Sequence, residues 1–207
     1  MNLQKKFQNA LKTKIGNFFL NGPLIRLPEE MLISKNALVL GIGNDDGQLL
    51  EILNNRIDFK HKPDIINFEK KYYIKNNHKI DIKYKDNFFK YETKNTYDLI
   101  LCGYYVSELS NNELEDFLIN TYKIINPEGL MIIWDFSKST KYKNIQKVLL
   151  FPFTKNKPLQ QTSKKIIEIA NRNNIGLATE ITIRPFLFPF TKRWSVLLGK
   201  PPSDRIN

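Results

Sequence analysis

The chain has 207 residues, with 32 Lys and Arg against 21 Asp and Glu, a formal net charge of +11, and 42% hydrophobic and 12% aromatic residues. That length suits one α/β domain with a sizeable core, and the apolar fraction excludes a disordered chain. One cysteine, Cys102, excludes an intramolecular disulfide, and with only His61 and His78 beside it too few ligands remain for a structural zinc site.

No apolar run reaches the ~20 residues of a bilayer span. The N-terminus is polar and lysine-dotted, unlike a secretion signal, so the expected location is cytoplasmic. The positive charge has two readings. One is attraction to phosphates, in nucleic acid or anionic lipid. The other is compositional bias, because Lys, Asn and Ile are abundant throughout. The lysines are spread along the chain and arginine is scarce, which favours bias.

In residues 3–19, Leu3, Phe7, Leu11, Ile15 and Phe18 recur near helical period, with Lys5, Lys6 and Lys12 elsewhere on the wheel. The pattern predicts an amphipathic helix covering one edge of the domain, a helical cap over 1–34. A membrane-surface helix or a lid over an active site is the alternative. Asn21-Gly22-Pro23 ends it. From residue 37 strand and helix patterns alternate. Strands are expected at 37–42, 64–68, 79–84, 97–102 and 129–135, and helices near 47–55, 111–125 and 160–174, with a short one at 69–77. Asn111-Asn112 offers an N-cap, and Asn126-Pro127-Glu128-Gly129 stops that helix and turns into the next strand. Two strand patterns, 177–185 and 193–199, follow without a helix between them and should pair antiparallel. Alternation of this kind predicts a doubly wound parallel sheet. One domain, with no repeat or linker, is the economical organisation.

The richest segment is Ala37-Leu38-Val39-Leu40-Gly41-Ile42-Gly43-Asn44-Asp45-Asp46-Gly47, an apolar strand running into a glycine turn and then a helix. That device brings backbone N–H groups close to a nucleotide-like ligand. Glycine serves there because a Cβ blocks the approach or forbids the φ. Glu69 lies 22 positions past Gly47, after a second apolar run, where a carboxylate commonly holds ribose hydroxyls. Gly41, Gly43 and Gly47 also fit a dinucleotide loop for NAD. The long segment before the strand and the absence of a second lobe for a hydride acceptor weigh against it.

In order and spacing these parts resemble the class I S-adenosylmethionine-dependent methyltransferases over residues 35–200, the methyltransferase domain on this reading. Val39 through Gly47 stand at the first strand and glycine loop, and Glu69 stands at the ribose-binding acid. Asp86-Asn87 stand where family members contact the adenine, Tyr97-Asp98-Leu99-Ile100-Leu101-Cys102 at the fourth strand, and Asn126-Pro127-Glu128-Gly129 at the turn before the fifth. Ile133-Trp134-Asp135-Phe136-Ser137-Lys138 is similar to a segment of the ubiquinone/menaquinone-biosynthesis methyltransferases. The resemblance implies a Rossmann-like, doubly wound seven-stranded sheet, mostly parallel with the last strand antiparallel. It implies S-adenosylmethionine as cofactor, bound by Gly41, Gly43, Asp45, Gly47, Glu69, Asp86, Asn87, Cys102, Gly103 and Tyr104. Three departures stand out. Gly41 replaces the acid usual at the end of the first strand, Asp45 replaces the middle loop glycine, and Ser107 stands where many relatives carry a His. They make a catalytically silent binding protein of the same fold the second reading.

Methyl transfer is an in-line displacement, so the protein chiefly aligns the reactants. A general base is needed only where the acceptor must lose a proton. Ligands of open α/β sheets bind beyond the carboxyl ends of the strands, which places Tyr104, Tyr105 and Glu108 as catalytic candidates and Asp135 at the same cleft. Packing is the competing role for both tyrosines. Phe151-Pro152-Phe153, Phe186, Phe188, Phe190 and Trp194 suggest an apolar, aromatic or lipid-like acceptor. With the basic N-terminal helix, peripheral contact with a membrane is a further expectation. Nucleic acid is less favoured, because Cys102-Gly103-Tyr104-Tyr105 is unlike the N-P-P-Y motif of base-amino methyltransferases and no RNA-binding appendage is recognisable.

Overall fold

In the computed structural model of the chain, β1 (Val39–Gly43) is buried along its whole length, as befits a strand covered on both faces. The residues described are 32–43, 48–67, 81–84, 95–137, 161–181 and 193–202. The expected helices at 3–19 and 69–77 lie outside them. β2 (Asp64–Asn67), β3 (Asp81–Tyr84), β4 (Tyr97–Gly103), β5 (Ile125–Phe136), β6 (Leu177–Ile181) and β7 (Arg193–Gly199) join β1 in one sheet of order β3-β2-β1-β4-β5-β7-β6. Neighbours from β3 across to β5 are parallel. β7 is antiparallel to both β5 and β6.

Successive strand residues serve opposite faces. On one face Leu50 and Leu53 of α1 (Gln48–Ile57) pack with Val39, Leu99, Leu101, Ile132 and Trp134. On the other, α2 (Asn111–Lys123) and α3 (Ser163–Arg172) bring Leu114, Phe117, Leu118, Ile166 and Ile169 against Leu40, Ile100, Cys102 and Ile133. The spacing Leu114, Phe117, Leu118, Thr121 is the buried stripe of α2.

The cap of α2 differs from the sequence expectation. Ser110, not Asn111, is the N-cap: its hydroxyl accepts the Glu113 N–H, and the Glu113 carboxylate accepts the Ser110 N–H at 2.8 Å. The reciprocal Ser-x-x-Glu bond satisfies two end donors at once, which a lone Asn does not. β5 also begins earlier than expected. Ile125 already pairs with Tyr97, and the ladder resumes at Leu130 opposite Leu99. The turn residues 126–129 thus form an irregularity within the strand, with Glu128 at φ +63°.

Two polar ties set the register at the amino ends of the strands. The Asp98 carboxylate accepts the Leu38 N–H at 2.8 Å and the Asn126 side-chain amide at 2.6 Å, and so joins the entries of β1, β4 and β5. The Tyr97 hydroxyl donates to Asp64 at 2.7 Å, tying β4 to β2. On the surface, Glu115 of α2 accepts from Asn173 and Arg172 at the end of α3. The Asn173 hydrogen bond, ahead of the Arg172 charge, holds the Glu115 carboxyl below its ordinary value.

Asp98→Ala removes two acceptor contacts at a partly buried junction and leaves two donors unpaired. Unfolding in urea should show a loss of about 2–4 kcal/mol with the slope unchanged.

Candidate active site

Gly43 ends β1 and lies opposite Gly103, the last residue of β4. Strand order reverses here, since β1 has β2 on one side and β4 on the other. Beyond the carboxyl ends of strands at such a reversal the connecting segments part and leave a crevice. Gly43 has φ +141°, and a Cβ on it would run into the Gly103 carbonyl oxygen. Only bare backbone lets the two strand ends lie this close. A Cβ on Gly103 would strike the indole of Trp134, whose Nε1 lies 2.9 Å from that position. The Trp134 side chain is buried, and its Nε1–H has no acceptor. Gly41 faces α1, where an added Cβ would come 2.6 Å from Leu50 Cδ1.

Past β4 the two tyrosines part company. Tyr104 takes φ +56°, a conformation that costs a non-glycine residue roughly 1–3 kcal/mol. It is held there by its N–H, which donates to the Trp134 carbonyl at 3.1 Å. Its ring, 1% exposed, stacks on Phe136 with centroids 4.6 Å apart and meets Trp134 edge-on at 6.3 Å. Tyr105 turns to the opposite face and packs edge-on against Phe117 of α2 at 5.4 Å. A 3₁₀ turn, Val106–Glu108, follows. Asp135, fully buried near the end of β5, accepts the Ser107 N–H on Oδ2 at 3.0 Å and its neighbour's Phe136 N–H on Oδ1 at 2.7 Å. It thereby pins the segment after β4 to the end of β5.

The structure therefore gathers Gly43, Gly103 and Tyr104 at one edge of the sheet. The Cys102 side chain is buried in the α2 and α3 core. Asp45, Gly47, Glu69, Asp86 and Asn87 lie outside the described residues, as do Phe151, Phe153, Phe186, Phe188 and Phe190. Glu108 has its backbone in the 3₁₀ turn. His61 is exposed. Among the described residues no group of three or more His, Cys, Asp or Glu could hold a metal ion, and no helix is long and apolar enough to cross a membrane.

Two residues at this edge escaped the sequence reading. Trp134 presents a buried donor beside Gly103. Arg193 opens β7 opposite Phe136, is only 6% exposed, and has no acceptor for Nε or Nη1. The available signal was an arginine heading an apolar strand in an arginine-poor chain.

No protein-family model matches the sequence, and no curated protein matches it. Solved structures do share the fold. Human N-acetylserotonin methyltransferase in complex with S-adenosylmethionine superposes with a TM-score of 0.64 at 12% identity, covering 96% of this chain and 56% of that one. An O-methyltransferase family protein from Burkholderia thailandensis gives 0.64 at 11% identity, covering 97% and 60%. PigF with S-adenosylhomocysteine gives 0.61 at 14% identity, covering 90% and 57%. The chain thus spans little more than half the length of these proteins. What they share with it is architecture: the chain has the Rossmann-like α/β fold of the class I S-adenosylmethionine-dependent methyltransferases.

Proposed function

We propose that the chain is an S-adenosylmethionine-dependent methyltransferase, of the EC 2.1.1 class, acting on a small-molecule or lipid-like acceptor. The observation that carries this reading is the bare-backbone meeting of Gly43 and Gly103 at the strand reversal, with the unsatisfied Trp134 Nε1–H beside it. Strand-end backbone free of side chains and a buried donor without an acceptor suit a polar ligand laid across β1 and β4. The solved neighbours whose names include S-adenosylmethionine or S-adenosylhomocysteine support the cofactor class.

On this reading Gly43 and Gly47 shape the loop, Glu69 holds the ribose, Asp86 and Asn87 the adenine, and the backbone from Cys102 through Tyr104 borders the methionine end. The bound cofactor supplies an electrophilic methyl group. The chain's own task is then alignment and exclusion of water. Tyr104, buried and stacked on Phe136 against Trp134, fixes the course of the segment that follows β4. Tyr105 and Glu108 follow on the same segment, which Asp135 fixes through the Ser107 amide. Peripheral membrane contact through the N-terminal basic helix would deliver a lipid-like acceptor to this edge. Quinones and lipids come first among acceptors to try.

One observation favours the silent binding protein. Leu50 closes the space beside Gly41, so the first strand offers no acid there. Calorimetry separates the two readings. Micromolar binding of S-adenosylmethionine and S-adenosylhomocysteine, about −8 kcal/mol, with none for NADH, is expected of the enzyme. Absence of all three leaves the binding protein. In a chain that binds, Glu69→Ala should weaken S-adenosylhomocysteine by about 1–3 kcal/mol through lost charged hydrogen bonds. Unchanged affinity would remove Glu69 from the ribose site.

A further inference from the structure

Arg193 and Phe136 are directly paired across β5 and β7, and paired residues of an antiparallel ladder project to the same face. The alternation along β7 agrees. Leu197, in step with Arg193, packs with the α1-side core, whereas Trp194, Val196 and Leu198 join the α2 and α3 core. Arg193 therefore shares its face, and the carboxyl edge of β5, with the stacked Tyr104 and Phe136 rings.

A guanidinium is a cation that offers only donors. Arg193 is 6% exposed, and two of its three guanidinium nitrogens, Nε and Nη1, are buried without a hydrogen-bond partner. A buried charge is unfavourable unless it is both paired and hydrogen-bonded. A water molecule would satisfy an N–H but leave the charge, whereas a carboxylate or phosphate oxygen answers both. The Ser195 hydroxyl, on the same face, is already spent on the Ile181 carbonyl.

Position separates this cation from the cofactor site. From β1 to β7 the sheet crosses three strand intervals, about 14 Å, so Arg193 lies far from the glycine turn and on the acceptor's side. We propose that Arg193 is the receptor for an anionic group, carboxylate or phosphate, on the methyl acceptor. The word acceptor rests on the methyltransferase reading. The anion site itself rests on the buried, unpaired nitrogens.

The test is thermal melting of the full chain and of Arg193→Met in chloride buffer of fixed ionic strength, with benzoate, benzamide or inorganic phosphate added. Without additive, R193M is expected to melt about 2–4 °C or more above the wild type, because a buried charge has been removed. Benzoate or phosphate should raise the wild-type melting temperature, benzamide should not, and R193M should respond to neither anion. A larger benzoate effect identifies a carboxylate ligand, and a larger phosphate effect a phosphoryl group. A lower melting temperature for R193M, equal responses to benzoate and benzamide, or no wild-type response to either anion overturns the proposal. S-adenosylhomocysteine affinity, measured alongside, should change less than twofold in R193M. A wild type that binds S-adenosylhomocysteine yet responds to neither anion defeats the anion site alone. An intact anion response in a wild type that binds no S-adenosylhomocysteine defeats only the methyltransferase reading.

Discussion

The contact on which the site depends is the approach of two glycines, Gly43 and Gly103, where β1 and β4 end side by side. A side chain at either place would push the strand ends apart or displace the Trp134 indole. The absence of two Cβ atoms thus brings backbone, indole and the first residue past β4 together. Tyr104 inherits its unusual backbone from the same junction, since its N–H is bound to the Trp134 carbonyl and its ring lies between Trp134 and Phe136.

Two aspartates hold the two ends of this arrangement. Asp98, at the amino end, binds the entries of β1 and β5 to β4. Asp135, at the carboxyl end, binds the segment after β4 to β5. Each carboxylate accepts from donors that would otherwise be unpaired inside the fold, so removing either acceptor carries the desolvation cost of those donors as well. The sheet is therefore clamped at both ends of its central strand, and the segment between Gly103 and Ser107 has little freedom. A methyl transfer that depends on alignment would benefit from such rigidity.

Against that satisfied frame the unpaired groups stand out. Trp134 Nε1 and Arg193 Nε and Nη1 are buried donors without acceptors on the α1-side face at the carboxyl edge, and Trp194 Nε1 is another on the opposite face. Trp134 reaches toward β4, whereas Arg193 lies a strand farther out on β7.

The sequence alone determined the alternation of strands and helices, because period-2 and period-3.6 patterns are local. The apolar run 39–43 and the Leu114–Thr121 stripe were legible for that reason, as was strand 193–199. Gly43 was legible as a turn glycine, though not its partner Gly103, because a close approach of two strand ends is set by register between segments about 60 residues apart. The cap at Ser110 is by contrast local, since Ser110-x-x-Glu113 is a capping-box pattern, and the Asn pair one residue later drew the expectation away from it. Tyr104 and Tyr105 read alike in the chain, yet the positive φ at Tyr104 sends them to opposite faces. Nothing in the sequence singled out Arg193. Only the tertiary structure decided that it is buried and unpaired, because burial and pairing are properties of what the sheet places around a side chain and not of its neighbours in sequence.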